Sequence, residues 1–542
     1  MQDAALEAPF DYVVVGAGTA GCVVAARLAE SGRYRVALIE AGGDDDKFWI
    51  RAPLGYGRLY GDPRYTWLYE SEPEAGWGGT TSLQPRGKVL GGTGSINGML
   101  HLRGQREDFD AWRDAGSAGW GYDEVLPYFK KFEDHELGPD PYRGVGGPVR
   151  VSRMPPHPLA DAFIAAAQEA GHARNDDFNG ATQDGFGYNQ LTTRNGERCS
   201  TSVAYLWPAR HRSNLRVFTR VLALRVLFDG AQATGVEVRR SGDNATRQIR
   251  ASREVIVSGG SFNSPQLLQL SGIGPAPLLA RHGIRLVADR AGVGENLQDH
   301  IGAGVTYRCT QPITINDAVN HPLRRVAMGL RYVLFRTGLM ATNASYAGGC
   351  IRTNANVTAP DVFLAIALWS RATTGRSLAP GLSPFSGFTV PFFLLHPDSR
   401  GSVRIRSADP AVAPEIRFNF FESERDHAAS IASLRLIRRI MAMPAMTPYI
   451  AEERAPGPTR TSDDELLQFC REKTRSIHHA TSTCRMGGDD LAVVDARLRV
   501  LGVRGLRVID ASVMPNIVGA NPNAATTMIG EKGAAMMLED AM

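Results

Sequence analysis

The sequence lacks the features that would place the protein among membrane-spanning or nucleic-acid-binding proteins. Its 542 residues include 60 Lys and Arg against 56 Asp and Glu, a formal net charge of +4 with no long run of one sign, which does not favour nucleic acid as a partner. It has no stretch of about 18 apolar residues, and MQDAALEAPF at the start has no basic segment followed by an apolar one. We therefore expect a cytoplasmic protein without a membrane span.

Cysteine is also scarce and dispersed. No two cysteines have the close spacing of a zinc or redox motif. Reduced, mostly buried thiols and no metal site are the expectation. The six positions are Cys22, Cys199, Cys309, Cys350, Cys470 and Cys484.

The first forty residues have the pattern of a dinucleotide-binding unit. DYVVVGAGTAGCVVAARLAESGRYRVALIEAGG predicts a strand at 12–15, a helix to about residue 30 and a strand at 36–39. Gly16 permits a tight turn, Gly18 lets the backbone approach a pyrophosphate, and Gly21 lets helix and strand pack closely. Glu40 ends the second strand, where it can bind a ribose hydroxyl. This acid disfavours NADP, but the motif leaves FAD and NAD open.

Two segments follow that differ in composition. PRGKVLGGTGSINGMLHLR at 85–103 is dense in small residues. Such a segment suits either an extended run against a large flat ligand or an ordinary loop. DAWRDAGSAGWGYDEVLPYFKKFED, which begins at Asp110, is aromatic and predicts helices packed on a surface within 108–134.

The middle of the chain predicts strands. Alternation over 215–238 predicts a meander of hairpins with a turn at Asp229-Gly230. An apolar strand at 255–257 and glycines precede a helix whose start Ser264-Pro265 marks. Alternating segments between 303 and 450 predict an antiparallel sheet. Residues 371–386, rich in Gly, Ser and Pro, favour a mobile lid or a surface loop equally.

Near the C-terminus, SIHHATSTCRMGG places His478 beside His479. The pair suits metal ligands, a structural pair or a catalytic base. A metal would need further clustered ligands, whereas neutral imidazole near physiological pH accepts a hydroxyl proton. The base is the preferred interpretation. Ser476 suggests a hydrolase only weakly, because no G-x-S-x-G elbow is present.

In these motifs the chain resembles the glucose-methanol-choline (GMC) oxidoreductase family, in particular its choline dehydrogenase-like and alcohol oxidase-like members. The resemblance runs from Asp11 to the C-terminus. It rests on GAGTAG with Glu40, RGKVLGGTGSINGML, GSFNSPQLLQLSGIGP, VGENLQDHIG, and the closing pair HHATSTCRMG and NPNAATTMIGEKGA. All of these in order make another family improbable.

The resemblance implies a fold in the α/β class. A Rossmann-like FAD-binding domain (1–155, 216–302 and 461–542) would be interleaved with an α+β substrate domain (156–215 and 303–460) built on an antiparallel sheet.

The resemblance also implies the site residues. His479, four residues before Thr483, would be the catalytic base, and Asn523, after Pro522, would lie beside it. FAD would be held without a covalent bond, because Ile96 stands where some relatives have a tethering histidine. The implied FAD contacts are Gly16, Gly18, Thr19, Ala20, Gly21, Glu40, Ala41, Val89, Gly92, Asn97, Gly98, Met99, Val221, Asp510, Ala511, Asn523 and Thr527.

The implied activity is oxidation of a small alcohol to the aldehyde by hydride transfer to flavin N5. Aromatic residues in the predicted substrate domain, Trp369, Phe385, Phe388 and Phe392, suggest a primary aryl or aliphatic alcohol. Dioxygen or a quinone would take the electrons, and a homodimer is compatible with the resemblance. Two alternatives stay open: an oxidase that produces hydrogen peroxide and a flavin-bearing lyase without net redox change. The identity of the alcohol and the role of His478 stay open as well.

Overall fold

The structure is a computed structural model that describes residues 9–354, 356–371 and 381–541. A parallel sheet forms the centre of one half of the fold. Its inner strands Phe10–Val15 and Val36–Glu40 are almost wholly buried, as strands covered on both faces require. In spatial order the strands of the sheet are Leu215–Thr219, Val36–Glu40, Phe10–Val15, the C-terminal end of Thr246–Val257, and Leu506–Val508.

The helix Thr19–Glu30 completes the predicted strand, helix and strand unit. It packs against the last helix of the chain, Asn523–Asp540. The two are joined by Arg27, whose guanidinium donates to the buried carboxylate of Glu531. The first and last parts of the chain are therefore one structural unit.

A three-stranded antiparallel meander extends this sheet through Val221–Asp229, Gln232–Arg240 and Thr246–Val257. The predicted turn at Asp229-Gly230 is confirmed, with Gly230 at φ +57°. The prediction was wrong in adding the preceding residues to the meander. Leu215–Thr219 joins the parallel sheet instead, and the chain changes direction at Arg220, which has φ +58°.

The helix predicted to start at Ser264-Pro265 begins earlier and spans Gly260–Leu270. Proline inside a helix lacks the N–H that would bond to the carbonyl four residues before it. Here that carbonyl belongs to Ser261, and it accepts a hydrogen bond from Thr483 Oγ1 at 2.8 Å instead. A partner distant in sequence therefore lets Pro265 lie within the helix.

The predicted antiparallel sheet is confirmed in the second half of the chain. Its strands, in spatial order, are Ser345–Ile351, Val362–Ala367, Gly387–Leu394, Gly304–Cys309 and Ile450–Ala455. The helix Glu424–Met441 packs on this sheet, and Pro158–Glu169 packs against that helix and the strand Ser345–Ile351. These elements enclose a second hydrophobic core.

The predicted helices of 108–134 are Arg106–Asp114 and Tyr122–Phe132. The other α-helices are Phe48–Arg51, Tyr56–Leu59, Trp207–Ala209, Ala276–Arg281, Ile315–Asn320, Pro322–Phe335 and Asp463–Lys473. Smaller sheets are formed by Thr66–Glu70 with Leu83–Gly87, by Glu133–His135, Val149–Arg153 and Gln190–Leu191, and by Glu295–Leu297, Gly401–Arg404 and Glu415–Arg417.

The two large cores correspond to a parallel-sheet and an antiparallel-sheet half, as the predicted α/β architecture requires. The exact domain boundaries stay a prediction. All six cysteines are buried, as predicted, and none forms a disulfide in the structure. Within the described ranges, no helix is both long and apolar enough to cross a bilayer.

Candidate active site

A cavity of about 570 Å³ lies between the carboxyl ends of the parallel strands and the antiparallel half. Its nucleotide end is lined by Gly16 and Glu40, and its other end by His478 and His479. Ligands of open α/β sheets bind at this edge. The cavity thus connects the two parts of the sequence that carry the strongest motifs.

The glycine turn is shaped for a pyrophosphate. Gly16 has φ +99°, and a Cβ there would lie 2.4 Å from the carbonyl oxygen of Ser258. A Cβ on Gly21 would lie 1.9 Å from the carbonyl oxygen of Gly16, so helix and strand meet here without room for a side chain. Gly18 lines the cavity, and a Cβ on it would have no chain atom nearer than 3.7 Å. The helix N-terminus is therefore open to a phosphate.

Glu40 occupies the position that a ribose-binding acid requires. Its carboxylate lines the cavity and accepts hydrogen bonds from Ala17 N at 3.0 Å and Gly42 N at 2.8 Å. Burial raises the pKa of this carboxyl to about 7. These backbone donors hold the side chain still at the end of its strand.

The segment 85–103, which is dense in small residues, lies along the cavity. This position favours its interpretation as a run against a large flat ligand over that of an ordinary loop. A Cβ on Gly92 would lie 2.7 Å from Gly18 Cα, so this segment touches the glycine turn. Arg198, which the sequence did not indicate, is fully buried beneath it. Its guanidinium donates to Asn97 Oδ1 at 2.8 Å and to the carbonyl oxygen of Gly94 at 3.2 Å. This arginine fixes the wall against which a ring can lie.

Most predicted cofactor residues line the one cavity. They are Gly16, Gly18, Thr19, Ala20, Glu40, Ala41, Gly92, Asn97, Gly98, Met99, Val221, Asp510, Ala511 and Asn523. Three others lie behind its wall. Gly21 packs on Gly16, Val89 is fully buried, and Thr527 Oγ1 donates to the carbonyl oxygen of Asn523.

Asp510 lines the cavity but uses its carboxylate within the chain. One oxygen accepts from Ser264 Oγ at 2.6 Å and Gly260 N at 2.8 Å, and the other accepts from Ser512 N at 2.8 Å. It therefore anchors the start of the helix Gly260–Leu270 to the last strand of the parallel sheet.

His479 lies at the opposite end of the cavity, partly buried in polar and aromatic surroundings. Its Nδ1 is 2.9 Å from Nδ1 of His300, and its Nε2 is 3.0 Å from Nδ2 of Asn521. The ring of Phe393 meets it edge to face at 5.8 Å. Burial, followed by the neighbouring His300, holds the pKa of His479 well below 6.5. The imidazole is therefore neutral at physiological pH.

The hydrogen bonds of His300 determine which nitrogen of His479 carries the proton. Nε2 of His300 lies 3.0 Å from the carbonyl oxygen of Leu395, which only accepts, so Nε2 is the protonated nitrogen. Burial lowers the pKa of His300 to about 3, so its Nδ1 is unprotonated and accepts from Nδ1–H of His479. Nε2 of His479 is then the unprotonated nitrogen, and its lone pair points to the amide of Asn521 until a substrate hydroxyl takes that place.

The amide beside His479 is that of Asn521 and not that of Asn523, which corrects the expected pair. Asn521 Nδ2 donates to His479 Nε2, whereas Asn523 Oδ1 accepts from Thr19 Oγ1 at 2.8 Å. Pro522 separates the two residues, and Asn523 is already the first residue of the last helix. Asn523 thus faces the nucleotide-binding helix.

Asp299 holds the loop that carries His479. The Oδ1 atom of Asp299 accepts from His479 N at 2.7 Å, and the Oδ2 atom accepts from Ser476 Oγ. Burial raises the pKa of Asp299 to about 6. Arg86 donates to the carbonyl oxygen of His478 at 2.8 Å. Asp299 and Arg86 belong to matched motifs, but only the structure shows that both hold this loop.

His478 stands next to the base in a different environment. It has φ +65°, and its ring meets Tyr60 edge to face at 5.7 Å. Burial and the nearby Arg86 and Arg371 lower its pKa to about 3. No group of three metal-ligating side chains occurs among the described residues.

Two of the aromatic rings that line this end of the cavity are covered by cations of the chain itself. Lys88 lies 4.2 Å from the Trp67 ring centroid, and Arg86 lies 5.0 Å from that of Phe262. The carboxylates among the lining residues are those of Glu40 and Asp510, both at the nucleotide end. The His479 end is therefore electropositive.

The aromatic residues expected to form the substrate pocket do not line the cavity. Phe388 and Phe392 are buried in the second core, because they lie on the strand Gly387–Leu394 with their rings directed into the sheet packing. Phe385 packs on Arg454. Tyr56, Tyr60 and Trp67 line the cavity instead. Of the predicted lid at 371–386, residues 372–380 lie outside the described residues.

Two family models match the chain. The N-terminal GMC oxidoreductase model matches residues 10–302 and the C-terminal one matches residues 397–530. The chain belongs to the GMC oxidoreductase family. It is an FAD-dependent oxidoreductase acting on CH–OH groups, and the cavity, with its open glycine turn, buried acid and flat wall, fits that cofactor.

Relatives in this GMC family cover nearly the whole chain. An oxygen-dependent choline dehydrogenase from Brucella suis biovar 1 is 42% identical over 97% of this chain and 94% of its own length. Another from Photobacterium profundum is 42% identical over 98% and 93%. Pyridoxine 4-oxidase from Mesorbium loti has a TM-score of 0.88 at 31% identity and coverage of 98% and 99%. A formate oxidase has a TM-score of 0.91 at 27% identity, with 98% of both chains covered.

Proposed function

We propose that this protein oxidises a small, uncharged primary alcohol, aryl or aliphatic, to the aldehyde, with His479 as the base. The observation that carries the proposal is the neutral imidazole of His479 at the cavity wall, with the lone pair of Nε2 unprotonated. Removing hydride from a carbinol carbon is easiest while its hydroxyl proton leaves, so a base must stand at the hydroxyl.

His479 and Asn521 have different roles at the substrate hydroxyl. Nε2 of His479 accepts the hydroxyl proton, and Nδ2–H of Asn521 donates to the substrate oxygen. These two nitrogens are 3.0 Å apart, so one oxygen can lie within hydrogen-bonding distance of both. FAD, when bound, supplies the acceptor for the hydride. Fixing the oxygen between two groups also orients the C–H bond, an effect that contributes strongly to rate.

The cavity favours an uncharged alcohol over choline, although choline dehydrogenases are among the relatives. A quaternary ammonium group binds to open aromatic faces or to a carboxylate. At the His479 end, Lys88 and Arg86 already cover the lining rings of Trp67 and Phe262, and their charges repel a cationic substrate. The lining carboxylates, Glu40 and Asp510, lie at the nucleotide end.

Anaerobic bleaching of the flavin absorbance tests the activity. Benzyl alcohol and 1-butanol are expected to reduce the flavin. The matched pair of choline and 3,3-dimethyl-1-butanol, equal in shape but not in charge, tests the choice of substrate, and the uncharged alcohol is expected to react faster. A flavin that no alcohol bleaches would reject the proposal and support a lyase; faster bleaching by choline would reject only the preference for an uncharged substrate.

The electron acceptor is dioxygen or a quinone. Hydrogen peroxide formed in step with aldehyde would identify an oxidase, and dye reduction without peroxide would identify a dehydrogenase. We propose that FAD is bound without a covalent link, because Ile96, where a tethering histidine would stand, is fully buried and offers no nucleophile. The cytoplasmic location and a homodimer stay predictions.

A further inference from the structure

The helix Pro322–Phe335 presents its apolar side to solvent. Leu323 is 76% exposed, Leu334 is 67% exposed and Phe335 is 70% exposed. Val326, Leu330 and Val333 on the same helix are also exposed. A surface helix of a globular protein normally turns such a stripe toward the core. Contiguous exposed apolar residues of this kind mark an interaction surface.

The orientation of the helix is set by two residues on its opposite side. Tyr332 is fully buried and packs with Ala52 and Met340, and Met328 packs against the same cluster. With about 100° of rotation per residue, Leu323, Val326, Leu330 and Leu334 fall on the side away from Met328 and Tyr332. The apolar stripe therefore points outward because of how the helix is packed.

Cations flank this stripe. By the same rotation, Arg324 and Arg331 lie along one edge and Arg325 along the other. Within the described ranges none of the three forms an ion pair, and Arg331 Nε donates to Thr337 Oγ1 at 3.3 Å. The sequence from 318 to 360 contains no Asp or Glu. An outward apolar stripe between rows of arginines is the pattern of a helix that lies in the interface of a bilayer with anionic lipids.

Neighbouring residues extend the same surface. Phe48, 45% exposed, meets the Tyr332 ring edge to face at 5.9 Å. Trp49 beside it is 37% exposed, with the Arg58 guanidinium 4.2 Å from its ring centroid. Aromatic and basic residues together are typical of the level of the lipid headgroups. The surface formed by Pro322–Phe335 with Phe48 and Trp49 is called the arginine-flanked face below.

We infer that the arginine-flanked face docks onto the surface of a membrane rich in anionic lipids, without crossing it. A second copy of the chain fits the face less well. A twofold contact would bring Arg324, Arg325 and Arg331 of both copies into one interface, and the segment from 318 to 360 offers no Asp or Glu to pair with them. Anionic headgroups neutralise these charges while the acyl boundary takes the apolar stripe.

The arginine-flanked face lies close in the fold to residues that line the cavity. Tyr332 packs on Met340, and three residues later the carbonyl oxygen of Asn343 accepts from Tyr56 Oη at 3.0 Å. Tyr56 and Asn343 both line the cavity. Docking therefore brings the substrate end of the cavity close to the lipid, from which an apolar alcohol or a quinone can enter.

Cosedimentation of the holoenzyme with vesicles tests the inference. Vesicles of phosphatidylglycerol and phosphatidylcholine are expected to pellet about tenfold more protein than vesicles of phosphatidylcholine alone, and high salt is expected to release most of it. The variants Leu323→Gln/Leu330→Gln/Leu334→Gln and Arg324→Gln/Arg325→Gln should each lose most of the binding. The control Leu286→Gln/Leu491→Gln changes similarly exposed leucines, 47% and 48%, outside the helix and should bind as the parent does.

Alcohol-dependent flavin bleaching at the parent rate would show that each variant is folded. Absence of binding to anionic vesicles at low salt would overturn the inference, as would equal binding by the parent and both helix variants. A dimer in light scattering that the triple leucine variant dissociates, without vesicle binding, would assign the face to a second copy.

Discussion

Nδ1 of His479 donates to Nδ1 of His300 across 2.9 Å. This bond is the middle link of a chain that begins at a backbone carbonyl and ends at the cavity. The carbonyl oxygen of Leu395 fixes the proton of His300, and His300 fixes the proton of His479. The proton-accepting nitrogen at the cavity is therefore selected by a peptide group of the antiparallel half.

We predict that His300 is a positioning residue. In His300→Leu the Nδ1–H of His479 loses its partner, at a cost of about 1–3 kcal/mol, so flavin reduction by alcohol should slow about tenfold to a hundredfold. His300→Gln can accept at Oε1 and should recover much of the rate. Stopped-flow measurement under anaerobic conditions compares the two. Equal rates in both variants would contradict a role in proton placement.

His479→Ala should keep FAD and lose turnover. A positioned general base contributes about a hundredfold to ten-thousandfold to a rate, and the nucleotide end of the cavity is untouched by the change. The flavin spectrum reports binding, and the anaerobic bleaching rate reports chemistry. Bleaching at the rate of the parent would reject the base.

The two asparagines around Pro522 should have different effects. Asn521→Ala removes the donor at His479 Nε2 and should slow flavin reduction. Asn523→Ala removes the acceptor of Thr19 Oγ1 and should weaken FAD retention more than it slows the reduction step. Flavin content after dialysis and the single-turnover rate separate these effects. The reverse pattern would restore Asn523 as the catalytic amide.

The rate of flavin reduction should show no loss that is centred at pH 6.5. An exposed histidine is half protonated at about this pH, but burial and His300 hold the pKa of His479 well below it, so the base stays neutral. A decline is expected instead with its midpoint near the pKa of Asp299, about 6, because the protonated carboxyl is a weaker acceptor for His479 N. A profile that loses half its rate at 6.5 would show an unshifted base.

Acid precipitation should release the yellow cofactor into the supernatant, because Ile96 provides no tether. The absorbance of the supernatant measures it. Colour that stays with the pellet would require a covalent link at some other residue.

Local patterns predicted the parallel unit because its strand, turn and helix depend on neighbouring residues. The site was predicted less completely. His300 lies 179 residues from His479, so no spacing could pair them. Asn521 and Asn523 are equivalent in type, and only the fold of the chain around Pro522 decides which one faces the imidazole. The helix can start at Gly260 because Thr483 bonds to the carbonyl of Ser261. No local sequence pattern could predict this contact, since the two residues are 222 positions apart.

Ser261 holds the loop that follows His479 through two hydrogen bonds. Its hydroxyl donates to the carbonyl oxygen of Ala480, and its own carbonyl, freed by Pro265, accepts from Thr483. Ala480, which follows the base, and Thr483 are thus both bonded to Ser261 of the parallel-sheet half. The loop that carries the base is therefore fixed to the half that also forms the nucleotide end of the cavity, and the distance between imidazole and cofactor is set within that half.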